Sequence, residues 1–146
     1  TMIEWQKPFE KIEIGKGICL KKGTKIAVLS IGTMLKTVQK AIEKSKNSDV
    51  ISLYDMRFVK PLDENLLHDI FKNHEKIITT EDGVISGGFG SAVLEFAAKN
   101  NYKIDCKILG IPDEFVEHGK PDILRAKHGM TSEAAIDKIL PHLEAK

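Results

Sequence analysis

The chain has 146 residues, 42% hydrophobic and 29% charged, the balance of one ordinary globular domain built on a single core. Lys and Arg number 22 against 21 Asp and Glu, a net charge of +1, so neither nucleic acid nor an anionic membrane is an expected partner. Cys19 and Cys106 stand far apart with no CxxC or Cys/His ligand spacing, which argues against a zinc site or disulfide framework and for a reducing, cytoplasmic setting.

No apolar run approaches the length of a membrane span, and the opening TMIEWQKPFEKIE lacks the basic head and apolar stretch of a secretory signal. Because the chain begins with Thr1, not Met, a missing N-terminus is expected. In chain order, IGKGICLKKGTK reads as a short edge strand and a turn. KIAVLSIG, over 25–32, is an apolar run ending in Gly, the pattern of a strand buried on both faces. A helix follows with Leu35, Val38 and Ile42 on one face and Thr33 as N-cap.

A second buried strand is expected over 50–59, then a helix over 63–73 with Pro61 ahead of it and Asp63 as cap. KIITTE is a third strand, and Phe89, Val93, Phe96 and Ala97 form a helix face after a run of glycines. YKIDCKILGI is the fourth, with Ile104, Cys106 and Ile108 alternating outward from it. KPDILRAKHG predicts a short helix closed by Gly129, with His128 in its last turn, where a donor is welcome. A final helix is capped near Thr131 and ends or kinks around Pro141.

Alternating strands and helices of these lengths argue for a three-layer α/β/α fold, a mostly parallel sheet of five strands covered on both faces. The whole of 1–146 is then one domain. Right-handed crossovers gather the strand-to-helix loops along the carboxyl edge of the sheet, where open α/β folds place their ligands. Those loops hold Arg57, Glu81, Asp82, Gly87, Gly88, Gly90 and His118.

The glycine loop is an incomplete nucleotide cradle. GGFGSAV supplies Gly88 and Gly90, but Val93 stands where GxGxxG wants its third glycine, and the loop follows the third core strand, not the first. No GxxxxGK[ST] is present, which excludes a P-loop. The bland alternative is that the glycines let a helix approach the sheet closely while Glu81, Asp82 or an anion satisfies its first amides.

Other candidates are weaker. EDG followed by Asn100–Asn101 imitates a thiamine-diphosphate metal motif, but Glu81 replaces the first glycine and only residues 84–99 intervene, where some two dozen belong. GxSxG is absent. Glu81 and Asp82 are adjacent and so point apart, a poor acid/base pair. Arg57 and Lys60 suit a phosphate or, equally, a bridge to Glu81 or Asp82. His118 is the only histidine expected in a carboxyl-edge loop, with solvation or a backbone bond as its plain alternative. No complete catalytic site is visible.

Three segments taken together, YDMRFVKPLDENLL, TTEDGVISGGFGSAVLEF and LGIPDEFVEHG, fall in this order at successive strand ends, preceded by EWQKPFEKIEIGKG. Over nearly the whole chain they resemble the C-terminal domain of 1-deoxy-D-xylulose-5-phosphate synthases, transketolase-like thiamine-diphosphate enzymes. The first two are shared more loosely by transketolases and by the β subunits of 2-oxo acid dehydrogenases. The third discriminates, because those β subunits carry a proline-rich loop there.

The resemblance implies an α/β unit with a mixed sheet, severed from a three-domain subunit. In such enzymes thiamine diphosphate and Mg2+ sit in the other two domains, pyruvate is decarboxylated, and its remnant is joined to glyceraldehyde 3-phosphate on the way to isoprenoid and thiamine precursors. It further implies that no residue here is catalytic or binds cofactor or metal. The partners become the missing N-terminal and middle domains and a second subunit of a homodimer, met by the carboxyl edge. A transketolase or dehydrogenase β-subunit tail, or a free-standing module binding an anion or a protein, remain the alternatives.

Overall fold

The computed structural model describes residues 9–139 and 141. In chain order the elements are β1 (Ile18–Lys21), β2 (Ile26–Ser30), α1 (Met34–Lys44), β3 (Ile51–Asp55), α2 (Glu64–Asn73), β4 (Lys76–Val84), α3 (Phe89–Lys99), β5 (Asp105–Ile111), α4 (Pro121–Lys127) and α5 (Ser132–Ile139). The strands form one sheet in the order β1-β3-β2-β4-β5. β1 runs antiparallel to β3 at one edge, and every other pairing is parallel.

β2 lies at the centre, and all five of its residues are buried, as an apolar run covered on both faces requires. Its side chains divide between two cores. Ala27 and Leu29 join Leu67, Ile70 and Phe71 of α2 and Phe89, Val93 and Phe96 of α3. Ile26 and Val28 join Met34, Val38 and Ile42 of α1 and Ile139 of α5 on the opposite face. The arrangement is the three-layer α/β/α fold with a mixed five-stranded sheet that the residue pattern predicts. Ile104 and Cys106 are not turned outward; they pack, partly buried, against the α2–α3 core.

Local signals account for most of the boundaries. Asp63 caps α2, its Oδ1 accepting from the Leu66 amide at 3.1 Å. Thr131 serves α5 in the same way, accepting from Ala134 N at 3.2 Å. Gly129 closes α4 at φ 65°, and the Met130 amide donates to Arg125 O at 2.7 Å. The break expected around Pro141 involves neighbours outside the described residues.

β3 is shorter than its apolar run suggests. Arg57 adopts φ 57° and its amide donates to Asp55 Oδ1 at 3.1 Å, so the chain turns there instead of pairing further.

The carboxyl edge of the sheet as candidate functional site

Parallel pairing aligns Ser30 with Asp55 on one side and with Thr80 on the other, so the ends of β2, β3 and β4 lie side by side. From β2 the chain reaches β3 on one flank and later β4 on the other. The order therefore reverses between β2 and β4, the place where open α/β sheets open a crevice.

Asp82 fills that crevice. The Thr33 hydroxyl donates to Asp82 Oδ2, and Arg125 Nη2 donates to the same oxygen at 2.8 Å. Thr33 therefore stands at the start of α1 without capping it. Burial alone would raise the Asp82 carboxyl, but the hydrogen bonds from Arg125 and Thr33, with the Arg125 charge, hold it below its ordinary value. The Arg125 guanidinium is correspondingly raised by its bond to Asp82.

Glu81 points the other way, as adjacent residues of a strand do. It is only 6% exposed, and its two oxygens accept from the amides of Phe89 at 2.8 Å and Gly90 at 2.9 Å. The start of α3, where a phosphate would dock, is thus occupied by the chain's own carboxylate. The glycines serve this closure. A Cβ at Gly88 would lie 2.1 Å from Glu81 Oε2, and one at Gly90 2.6 Å from Thr79 Oγ1 and 2.7 Å from Ile108 Cγ2. Gly87 turns at φ 74°, its amide donating to Ser91 Oγ at 3.0 Å.

Arg57 does not reach Glu81 or Asp82. β2 lies between β3 and β4, roughly 10 Å of sheet, and Arg57 Nε pairs instead with Asp55 Oδ2 at 3.7 Å. His118 is exposed on the loop between β5 and α4. The expected residues are thus dispersed. Glu81 and Gly90 are buried in one junction, with Gly88 half-buried and Gly87 exposed beside them. Asp82 is held at the surface by Thr33 and Arg125, and Arg57 and His118 stand apart.

Sequence reasoning missed Arg125 as the partner of Asp82, and it placed His128 at the end of its helix without the cavity it borders. The Asp82–Arg125 pairing left no signal in the spacing, because the two stand 43 residues apart. His128 Nδ1 lies 3.3 Å from Glu114 Oε1, and its Nε2 is buried with no hydrogen-bond partner. Arg125 and His128 border a cavity of about 230 Å³ whose wall is mainly Ile111, Val116, Leu124 and Met130.

The chemistry this edge offers is limited. Among the described residues no group of three His, Cys, Asp or Glu side chains is placed to hold a metal ion. One pair imitates a nucleophile and base, Ser52 Oγ and His74 Nε2 at 2.8 Å. Ser52 is 1% exposed and already accepts from Gly23 N at 2.8 Å, while His74 Nδ1 lies 2.9 Å from Ile70 O. That pair ties β3 to the end of α2. No helix of the described residues is long and apolar enough to cross a membrane.

A family model described as the transketolase C-terminal domain matches residues 15–135. A 1-deoxy-D-xylulose-5-phosphate synthase of Parabacteroides distasonis is 50% identical over 134 residues, covering 91% of this chain and 21% of that protein. The protein of the same name from Bacteroides fragilis is 44% identical over 135 residues, again 91% of this chain and 21% of the relative. Among solved structures, one titled split gene transketolase, inactive beta4 tetramer, superposes with a TM-score of 0.83 at 27% identity, over 94% of this chain and 45% of that one. A Campylobacter jejuni transketolase gives 0.65 at 19% identity over 93% and 20%, a likeness of fold alone. The chain spans about a fifth of the length of the curated relatives it matches.

Proposed function

The chain belongs to the transketolase C-terminal domain family, and on that premise we propose that it is the third domain of a 1-deoxy-D-xylulose-5-phosphate synthase. The observation that carries this is 50% identity to such a synthase across 91% of the chain. The parent enzyme joins pyruvate, after loss of carbon dioxide, to glyceraldehyde 3-phosphate as a cytoplasmic homodimer. Thiamine diphosphate, with Mg2+, supplies the electron sink for that decarboxylation.

The residues of this chain do not fit that cofactor. The glycine-led start of α3 is occupied by Glu81, and Thr33 and Arg125 converge on Asp82 at the switch point. No step of the reaction is therefore assigned to residues here, and cofactor and metal belong to other domains of the parent. The role of this chain is to present a rigid carboxyl edge, carrying Arg57 and His118, to those domains and to the second subunit. Glu81, Asp82, Gly87, Gly88 and Gly90 hold the edge in shape.

The test compares the native full-length protein with this chain alone, each given thiamine diphosphate, Mg2+, pyruvate and glyceraldehyde 3-phosphate. Product from the full-length protein and none from this chain is the expected outcome. Turnover by this chain alone, or a native mass no larger than its 16.3 kDa, defeats the proposal.

A further inference from the structure

The cavity beneath α4 combines an apolar wall, an unanswered acceptor and an acidic, greasy rim. The wall comes from Ile111 at the end of β5, Val116 in the following loop, Leu124 of α4 and Met130 just beyond it. His128, whose side chain is 7% exposed, borders the same space. The Glu114 carboxylate only accepts, so His128 Nδ1 carries a proton toward it, and in the neutral ring Nε2 keeps a lone pair. Among the described residues, only this Nε2 and Thr79 Oγ1 are buried side-chain polar atoms without a partner. A buried polar atom left unanswered calls for an explanation, and at His128, unlike Thr79, a cavity adjoins it.

The rim shows what kind of partner. Phe115 is fully exposed and Ile123 is 63% exposed, so among the described residues nothing covers Phe115 and little covers Ile123. Between Pro112 and α4 the loop carries Asp113, Glu114 and Glu117, and Asp122 follows in the first turn of the helix. Arg125 is engaged by Asp82 and Asp122 and Lys127 by Glu117, which leaves the exposed Lys120 to set against Asp113 and Glu114, and the rim stays net acidic. A free anion would meet these carboxylates, whereas a cationic or N–H-bearing group would be drawn in.

We propose that this surface is a socket for a basic, apolar segment from the remainder of the parent polypeptide, a deepening that rests on the functional assignment above. A side chain with an apolar body and an N–H donor (Trp, Arg or Lys) enters the cavity and donates to His128 Nε2. Phe115 and Ile123 pack around it. The occupant comes from the parent because the matched relatives hold about four-fifths of their length outside the region this chain covers. A second copy of this domain is the competing occupant.

Hydrogen–deuterium exchange, read by mass spectrometry on the full-length native protein and on this chain, separates them. In the full-length protein, amides in 111–130 are expected to exchange at least about tenfold more slowly than in this chain, unaltered by dilution. Phe115→Glu in the full-length protein restores fast exchange there while β2 and β4 stay protected, showing that the fold is intact. Equal exchange in the two proteins overturns the inference. So does protection that fades on dilution, which assigns the socket to a second copy. A native mass equal to that of this chain removes the functional assignment itself and the socket with it, whereas equal exchange in a longer protein removes the socket alone.

Discussion

Glu81 and Gly90 are joined by a 2.9 Å hydrogen bond from the Gly90 amide to the buried carboxylate, and each exists in its form because of the other. Only a residue without a Cβ brings this amide so close to the sheet, where Thr79 and Ile108 already stand. The two oxygens of one carboxyl group each answer one amide at the positive end of α3.

Glu81→Ala leaves the Phe89 and Gly90 amides buried without an acceptor. The expected loss is about 3 kcal/mol, from two hydrogen bonds to a charged group and the desolvation of both donors. Glu81→Gln keeps one oxygen and recovers part of it. Urea unfolding of the three proteins checks the order, and a loss below about 1 kcal/mol for the alanine variant would refute the role given to this carboxylate.

The three loop glycines are predicted to differ. Gly87→Ala meets no atom within 4 Å and suffers only the left-handed backbone at φ 74°, about 1 kcal/mol. Gly88→Ala and Gly90→Ala drive a methyl into Glu81 and Val84 O, or into Thr79 and Ile108, and should each cost about 3 kcal/mol. Thermal melts that rank Gly87→Ala as the worst of the three would contradict the close approach seen here.

Asp82 gives an acid-sensitive fastening of α4. Its carboxyl is lowered in the folded state: burial opposes ionisation, but the bonds from Arg125 and Thr33 outweigh it. The ionised form is therefore favoured by folding. Its contribution is complete above the ordinary carboxylate value and disappears as pH falls through the lowered folded value. Arg125→Ala should lose about 1 kcal/mol at pH 7, and the gap to the unsubstituted protein should close as pH falls from about 4 through the lowered folded value. A gap that persists unchanged at pH 2 would mean that the arginine contributes by packing.

The two thiols should react very differently. Cys106 is pushed up to about 11 by burial, with the Asp105 charge adding to it, whereas Cys19 is exposed. Iodoacetamide at pH 8 should modify Cys19 first and Cys106 on the order of a hundredfold more slowly, with equal rates only after unfolding. Intact-mass spectra over time give the two rates, and equal labelling in the folded protein would place Cys106 at the surface.

Much of the architecture was legible without coordinates because it rests on short-range patterns. The apolar run of β2, the Asp63 cap and the Gly129 stop each act within a few residues, and each appears where the residues predict. The end of β3 was less legible, because its apolar pattern continues to Val59 while Asp55 captures the Arg57 amide and turns the chain. Thr33 was recognisable as standing at a helix start, but its hydroxyl was free to find Asp82, a residue 49 positions away.

What the amino-acid sequence determines alone is therefore the layer pattern, the family and the opposed directions of Glu81 and Asp82, since period and neighbouring stereochemistry are local properties. What the tertiary structure decided is which charges meet. The strand order places β2 between Arg57 and the carboxylates, and the return of α4 over the same edge hands Asp82 to Arg125 instead. Pairing across 43 residues depends on the path of the whole chain, and no spacing along it encodes that path.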